Sequence, residues 1–169
     1  SDTLGHADTM AIDYSRYADG EAALGWLNAT LRLETPEPRR GEPVLKALAN
    51  ALRDRLLAQG AEIAHIKMTL SSLDGACGVA ALNIVRNDIV PELGQELAEP
   101  VRRARLIVNA RAEADPERLH EASLEAIATA EACAAETRLE LEHEERFRPA
   151  PPQPKWRMSD AEHLKRFAE

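Results

Sequence analysis

Side chains suited to binding recur at alternate positions in four stretches, residues 24–34, 62–70, 79–87 and 105–113. Alternate residues of a β-strand share one face, so each stretch predicts a strand with a polar side. Tryptophan, carboxamide and cationic groups anchor partners or hold anions, and a merely solvated surface has no need of them. We predict a binding face formed by Trp26, Asn28, Arg32, His65, Lys67, Asn83, Asn109 and Arg111.

An imidazole and an amine, those of His65 and Lys67, could serve acid–base catalysis if a pocket formed around them. A lone histidine beside a lysine on a sheet face is more often structural or part of an interface. The sequence contains no P-loop, no dinucleotide fingerprint, no Gly-x-Ser-x-Gly and no His-Glu-x-x-His. We therefore predict a non-enzymatic chain with no catalytic residue.

Metal chemistry has one candidate cluster, because His143 lies among four glutamates in residues 140–145. A strand would place Glu142 and Glu144 on the face opposite His143, so we expect a solvated acidic edge and no metal site. Cys77 falls in a predicted turn and is expected to be exposed. Cys133 falls on an apolar helical stripe and is expected in the core.

Composition bounds the class of protein. The chain has 169 residues, 44% hydrophobic and 30% charged, which predicts one soluble domain with tails. The net charge of −8 argues against a nucleic-acid partner. No apolar run approaches the roughly 20 residues of a membrane span, and the start does not read as a signal peptide. Two cysteines and no disulfide framework favour a cytoplasmic location.

The intervening segments predict two long helices and further short elements. Residues 44–60 carry one apolar stripe, with Gly60 placed to end the helix. Asp115, Pro116 and Glu117 are a typical helix start, and a second stripe follows them. Residues 91–97 predict a short helix, and residues 137–144 alternate as a charged edge strand.

These elements together predict an α+β fold. The expected architecture is a two-layer sandwich, a ferredoxin-like variant, with a mostly antiparallel sheet of four to five strands and two main helices on one face. Residues 1–20 are expected to be a linker or N-terminal arm, and residues 21–147 the domain. Residues 148–169 predict a proline-rich tail with a short terminal helix.

The segments DYSRYADGEAALGWLNATLRLE (13–34), GAEIAHIKMTL (60–70), LIVNARAEADPERL (106–119) and FRPAPPQP (147–154) resemble one known family. They are similar to the region downstream of the GTPase domain in CobW-type proteins, which are cobalamin-synthesis or metallochaperone-like GTPases. The similarity runs over roughly residues 9–155, with LGWLNAT and AEIAHIKMTL as its most distinctive strings.

The resemblance implies an accessory, C-terminal module that contacts a GTPase domain or a client protein. The P-loop, the magnesium-binding and base-recognition elements and the Cys-x-x-Cys-type motif of that family are missing here. GTP, magnesium and a transition metal would therefore belong to the GTPase domain, and this chain itself is expected to hold no cofactor. Two alternatives stay open: a small-molecule or anion sensor using the same face, and a homodimer formed through the edge strand.

Overall fold

The computed structural model of the protein describes residues 24–75, 77–87 and 91–149. The predicted N-terminal arm, and the predicted tail from residue 150 onward, lie outside these ranges. Within them the chain forms β1 (Gly25–Arg39), α1 (Glu42–Ala58), β2 (Ile63–Ser72), β3 (Val79–Ile84), β4 (Glu92–Gln95), β5 (Val101–Ala112), α2 (Pro116–Cys133) and β6 (Arg138–Phe147).

The strands form one antiparallel sheet in the order β4-β3-β2-β5-β1-β6. The predicted α+β class with two main helices is confirmed, but the sheet has six strands among the described residues and not four to five. The turn that joins residues 62–70 to residues 79–87 predicts a hairpin, and β2 and β3 form it. β6 lies at an edge, as predicted. β1, β5 and β2 occupy the middle, so side chains on them have neighbours on both sides.

The sixth strand replaces the short helix predicted over residues 91–97, and that prediction is wrong. Glu92–Gln95 is β4, which pairs with β3. Leu93 pairs with Leu82 and packs against the core, whereas Gly94 disfavours a helix interior. Four residues are too short to show a reliable period, so the pairing with β3 decided the conformation.

The end of α1 and the start of α2 follow the signals in their sequences. Gly60 has a φ of 71°, the left-handed conformation that glycine adopts readily after a helix. The backbone N–H of Ala61 donates to the carbonyl of Leu56 across this turn, at 2.9 Å. At the start of α2 the Asp115 side chain caps the helix by accepting from the backbone N–H of Glu117. Neither helix is long and apolar enough to cross a membrane.

The core lies between the helices and one face of the sheet. The apolar stripes of α1 and α2 and the inward residues of five strands form a single buried cluster. The pairing of β2 with β5 is irregular at the start of β2. Ile63 and His65, two residues apart, lie opposite the adjacent residues Ala112 and Arg111. Strict alternation along residues 62–70 predicts Ala64 inward and Ile63 outward. The structure reverses them, because Ala64 is the extra residue and is exposed while Ile63 is buried.

Two further expectations fail at element ends. β1 continues to Arg39 through a register shift, although the prolines of residues 35–43 predict a loop. Cys133 is exposed and not in the core, because it is the last residue of α2 and lies beyond the buried stretch that ends with Ala130. Cys77 is exposed, as predicted.

Candidate functional site

Cross-strand pairing brings the predicted binding residues onto the sheet face opposite the helices. Because side chains alternate along each strand and pairs share a face, the register alone decides which residues become neighbours. We call this surface the polar face and define it by the eight predicted residues and Arg105: Trp26, Asn28, Arg32, His65, Lys67, Asn83, Arg105, Asn109 and Arg111.

An aromatic and cationic row crosses one end of the polar face. Trp26 pairs with Phe147 on one side and with Arg111 on the other. The Trp26 and Phe147 ring centroids are 5.6 Å apart, and the Arg111 guanidinium carbon lies 4.9 Å from the Trp26 ring centroid. A cation at this distance over an indole contributes about 0.5–1 kcal/mol at an exposed site. Trp26 is therefore held in place by contacts within the sheet.

His65 continues this row and has a partner on each ring nitrogen. An Arg111 Nη2 proton points to His65 Nδ1 at 3.3 Å, and His65 Nε2 lies 3.0 Å from Asn83 Oδ1. Arginine can only donate and a carbonyl oxygen can only accept, so these contacts suit a ring whose Nδ1 accepts and whose Nε2 donates. His65 thereby links Arg111 on β5 to Asn83 on β3. Both ring nitrogens therefore make contacts between neighbouring strands of the sheet.

The neighbouring row is built of carboxamides around one amine. Lys67 pairs with Asn109 on β5 and with Asn83 on β3, and Asn28 follows Asn109 on β1. Lys67, Asn83 and Asn109 are exposed, and Asn28 is half-buried. Carboxamides present both donors and acceptors, so they complement a charged group or a peptide without adding charge of their own.

The cations of the polar face differ in whether a carboxylate neutralises them. Arg32 Nε lies 2.6 Å from Glu142 Oε1. By contrast, no carboxylate of the described residues lies within 4.0 Å of the charged ends of Lys67, Arg105 or Arg111. We call these three residues the cationic stripe. Its charges are available to a partner, whereas that of Arg32 is already paired.

Arg103, two residues before Arg105, is instead paired with Asp74 of the hairpin turn between β2 and β3. Asp74 Oδ2 accepts from the backbone N–H groups of Arg103 and Arg102, both at 2.8 Å, and Asp74 Oδ1 accepts from Arg103 Nε at 3.3 Å. The two backbone hydrogen bonds, first that from Arg103, hold the pKa of Asp74 below its usual range. Asp74 thus secures the start of β5.

Three clefts of the described residues lie away from the polar face. One of about 380 Å³ is bordered by Thr35, Arg40, Val44 and Cys133, between β1, α1 and the end of α2. Two wider ones, of about 580 and 560 Å³, lie beside Gly60 and along the outer side of α2. Neither His65, Lys67 nor Arg111 borders any of these clefts. An open face of this kind suits a protein partner better than an enclosed small ligand.

The candidate metal cluster of residues 140–145 lies on β6. His143 Nε2 lies 3.4 Å from Glu145 Oε1, and both side chains are about two-thirds exposed. Glu142 and Glu144 separate to opposite faces because β6 has an irregularity between Leu141 and His143. The described residues contain no group of three or more histidine, cysteine or acidic side chains placed to hold a metal ion.

The sequence did not indicate Phe147 as part of the polar surface, and it predicted the wrong orientation for Asn87. The edge strand is predicted to end at residue 144, but β6 extends to Phe147 and places it beside Trp26. Asn87 was expected to face outward from a longer β3, yet its side chain binds the backbone of Ile63 and Ala61. Alternation continuing past Glu144 could have indicated Phe147. The role of Asn87 depends on pairing that no local pattern shows.

Comparison of the chain with protein-family models, with curated proteins and with solved structures finds no match.

Proposed function

We propose that this chain is a non-catalytic interaction or regulatory module that docks a partner protein through the polar face of its sheet. In this proposal the domain is a two-layer sandwich, a variant of the ferredoxin-like plan, whose helices support the face from behind. What supports it is one observation: the register gathers a tryptophan, three carboxamides, a histidine and four cations on the side that the helices leave uncovered.

The nature of these residues favours binding over mere solvation. Tryptophan and arginine are the types most often found where binding energy is concentrated in protein interfaces. Here Trp26 and Arg111 contact each other, so an incoming surface would meet an ordered pair and lose less side-chain entropy on docking. Arg111 in turn contacts His65, which extends the ordered group to β2.

The partner that we propose is a CobW-like GTPase domain, or a client of such a GTPase, in metal or cofactor delivery. This part rests on the sequence resemblance of LGWLNAT (24–30) and AEIAHIKMTL (61–70). The first string contains Trp26 and Asn28, and the second contains His65 and Lys67, so both contribute to the polar face. GTP, magnesium and any transition metal would be bound by the GTPase, and this chain would act by contact.

A second candidate function is a sensor for a small anion on the same face. Lys67 favours it, because this amine lies between Asn83 and Asn109 and has no carboxylate beside it among the described residues. Carboxamide donors around an amine are suitable ligands for a carboxylate or phosphate. The clefts lying elsewhere argue against a deep pocket at this point.

The test is calorimetric titration of the full chain with a purified CobW-type GTPase domain from the same genome. We expect Trp26→Ala combined with Arg111→Ala to weaken binding at least about tenfold, as expected for paired anchor residues. Lys46→Ala combined with Arg118→Ala is the matched control, since both residues are exposed on the helices. Equal affinities for the wild-type chain and the Trp26/Arg111 variant, both shown folded by circular dichroism, would remove the proposal.

A further inference from the structure

The cationic stripe runs parallel to the central strands. Arg111 and Arg105 lie on β5, six residues apart, which corresponds to roughly 20 Å along an extended strand. Lys67 lies between them on the adjacent β2, since it pairs with Asn109. The three charges therefore follow a line along the middle of the sheet and do not form a compact cluster around one point.

Acidic side chains border the polar face on both outer strands. Glu145 pairs with Asn28 and Glu140 pairs with Arg32, so both lie on the polar side of β6. On the opposite edge Glu92 of β4 pairs with Asn83. Strand spacing puts Glu92 and Glu145 roughly 10–14 Å from Lys67 and Glu140 farther away, beyond the screening length of about 8 Å at physiological salt. They restrict a negatively charged ligand to the centre without neutralising the stripe.

The surface between the cations is neutral and partly apolar. Ile107 lies in the middle of β5, paired with Thr30 on one side and Thr69 on the other. All three are half-buried. Hydroxyl and carboxamide groups there can bond a peptide backbone, and Ile107 can contact aliphatic carbon. A linear ligand with acidic groups at intervals and short neutral residues between them would match this layout.

From this layout we infer that the polar face binds an extended acidic segment of its partner, aligned with β5 and β2 along the cationic stripe. The inference rests on the proposed docking function and adds the chemistry of the partner. Carboxylates of the segment would meet Arg111, Lys67 and Arg105. The acidic borders on β4 and β6 would repel the same segment from the edges, which fixes its position as well as its affinity.

The experiment titrates the full chain with a capped peptide of alternating glutamate and alanine, about eight residues long, which is enough to span the stripe. The signals to follow by nitrogen-15 NMR are the side-chain amides of Asn83 and Asn109 and the backbone amide of Lys67. We expect these signals to move, and the affinity to fall as salt is raised from about 0.05 M to 0.5 M. A peptide with glutamine at every glutamate position is the control ligand.

Charge reversal tests the location. Lys67→Glu combined with Arg105→Glu should weaken peptide binding at least about tenfold, because it turns two attractions into repulsions. Lys46→Glu combined with Arg118→Glu makes the same change in net charge on the helical side and should leave the affinity unaltered within about twofold. Equal weakening by the two variants would show a general charge effect and overturn the inference.

Other occupants give other outcomes, each of which overturns the inference. Glutarate at matched carboxylate concentration moving the same signals as strongly would mean a small-anion site. A single-stranded oligonucleotide binding more tightly than the peptide would mean a nucleic-acid surface, and an absence of peptide-induced shifts would mean that no acidic segment binds.

The GTPase domain separates this inference from the proposed function. If it binds the wild-type chain and the Lys67/Arg105 variant equally, the proposed docking function is supported and the inference of an acidic segment is contradicted. If the peptide binds along the stripe and the GTPase domain does not bind, the inference of an acidic segment is supported and the proposal of a GTPase partner is contradicted.

Discussion

The guanidinium carbon of Arg111, on β5, lies 4.9 Å from the centre of the Trp26 ring on the adjacent strand β1. The same guanidinium points an N–H toward His65 Nδ1 on the other side. Arg111 therefore connects three central strands through one side chain. It is at once part of the proposed docking surface and a contact that holds this surface in order.

Replacing Arg111 tests this connection. Arg111→Gln should lower the free energy of unfolding by about 0.5–1 kcal/mol, the usual contribution of an exposed cation–π contact. It should also change the emission of Trp26, since the charge over the indole is lost. The measurement is urea unfolding followed by fluorescence in a Trp156→Phe background, because Trp156 is the other tryptophan of the chain. Unchanged emission relative to Arg118→Gln would contradict the contact.

Asp74 predicts a pH-dependent contribution to stability. Its pKa is lowered in the folded chain by the backbone N–H groups of Arg103 and Arg102. A lowered folded-state pKa gives stability that is present above the unfolded-state value, about 4, and is lost as the pH falls through the folded-state value. Asp74→Asn should therefore lower the urea midpoint at neutral pH, and the difference from wild type should shrink toward about pH 2.

The comparison for this prediction is Asp54→Asn, an exposed carboxylate on α1. Urea midpoints measured from neutral pH to about pH 2 should show the converging pattern for Asp74→Asn and not for Asp54→Asn. A midpoint difference for Asp74→Asn that is constant over this range would contradict the hydrogen-bonded carboxylate.

A partly buried pair attaches the edge strand β6 to α2. His120 Nδ1 lies 2.5 Å from Glu144 Oε1, and the Glu144 side chain is only 6% exposed. The two groups lie in one contact, so we expect a coupling of about 0.5–3 kcal/mol between His120→Ala and Glu144→Ala. A double-mutant cycle of unfolding free energies measures it. Strict additivity would mean that the pair does not hold β6 to the helix.

Gly25 begins the strand that carries Trp26, and it has no room for a side chain. A Cβ at this position would lie 2.3 Å from the backbone carbonyl oxygen of Ala114, and a backbone atom cannot move aside easily. Gly25→Ala should cost about 1–3 kcal/mol of stability through overpacking. Gly94→Ala is the matched control, since the backbone carbonyl oxygen of Ala81 would be 3.8 Å from the new Cβ. Equal thermal midpoints for the two variants would contradict the close approach.

Local patterns predicted most of the elements because they depend on neighbours in the chain. The period of two around Trp26 and Lys67 indicated strands, and the Asp115–Pro116 start indicated α2. The failures lie where few residues carry the pattern or where an element ends. β4 has four residues, and Cys133 is the last residue of its helix. At such positions non-local packing outweighs local preference.

The same distinction applies to the polar face: local sequence decides which way each side chain points, and tertiary structure decides its neighbours. Alternation alone placed Trp26, Lys67 and Arg111 on the polar sides of their own strands, because side chains of a pleated strand must point to opposite faces in turn. The tertiary structure decided which strands lie side by side, and so which cations are neutralised. Glu142 reaches Arg32 and Asp74 reaches Arg103, while the three residues of the cationic stripe have no carboxylate partner within the part of the chain that the structure describes. Charge neutralisation depends on distances between strands that are far apart in sequence, and no local period encodes them.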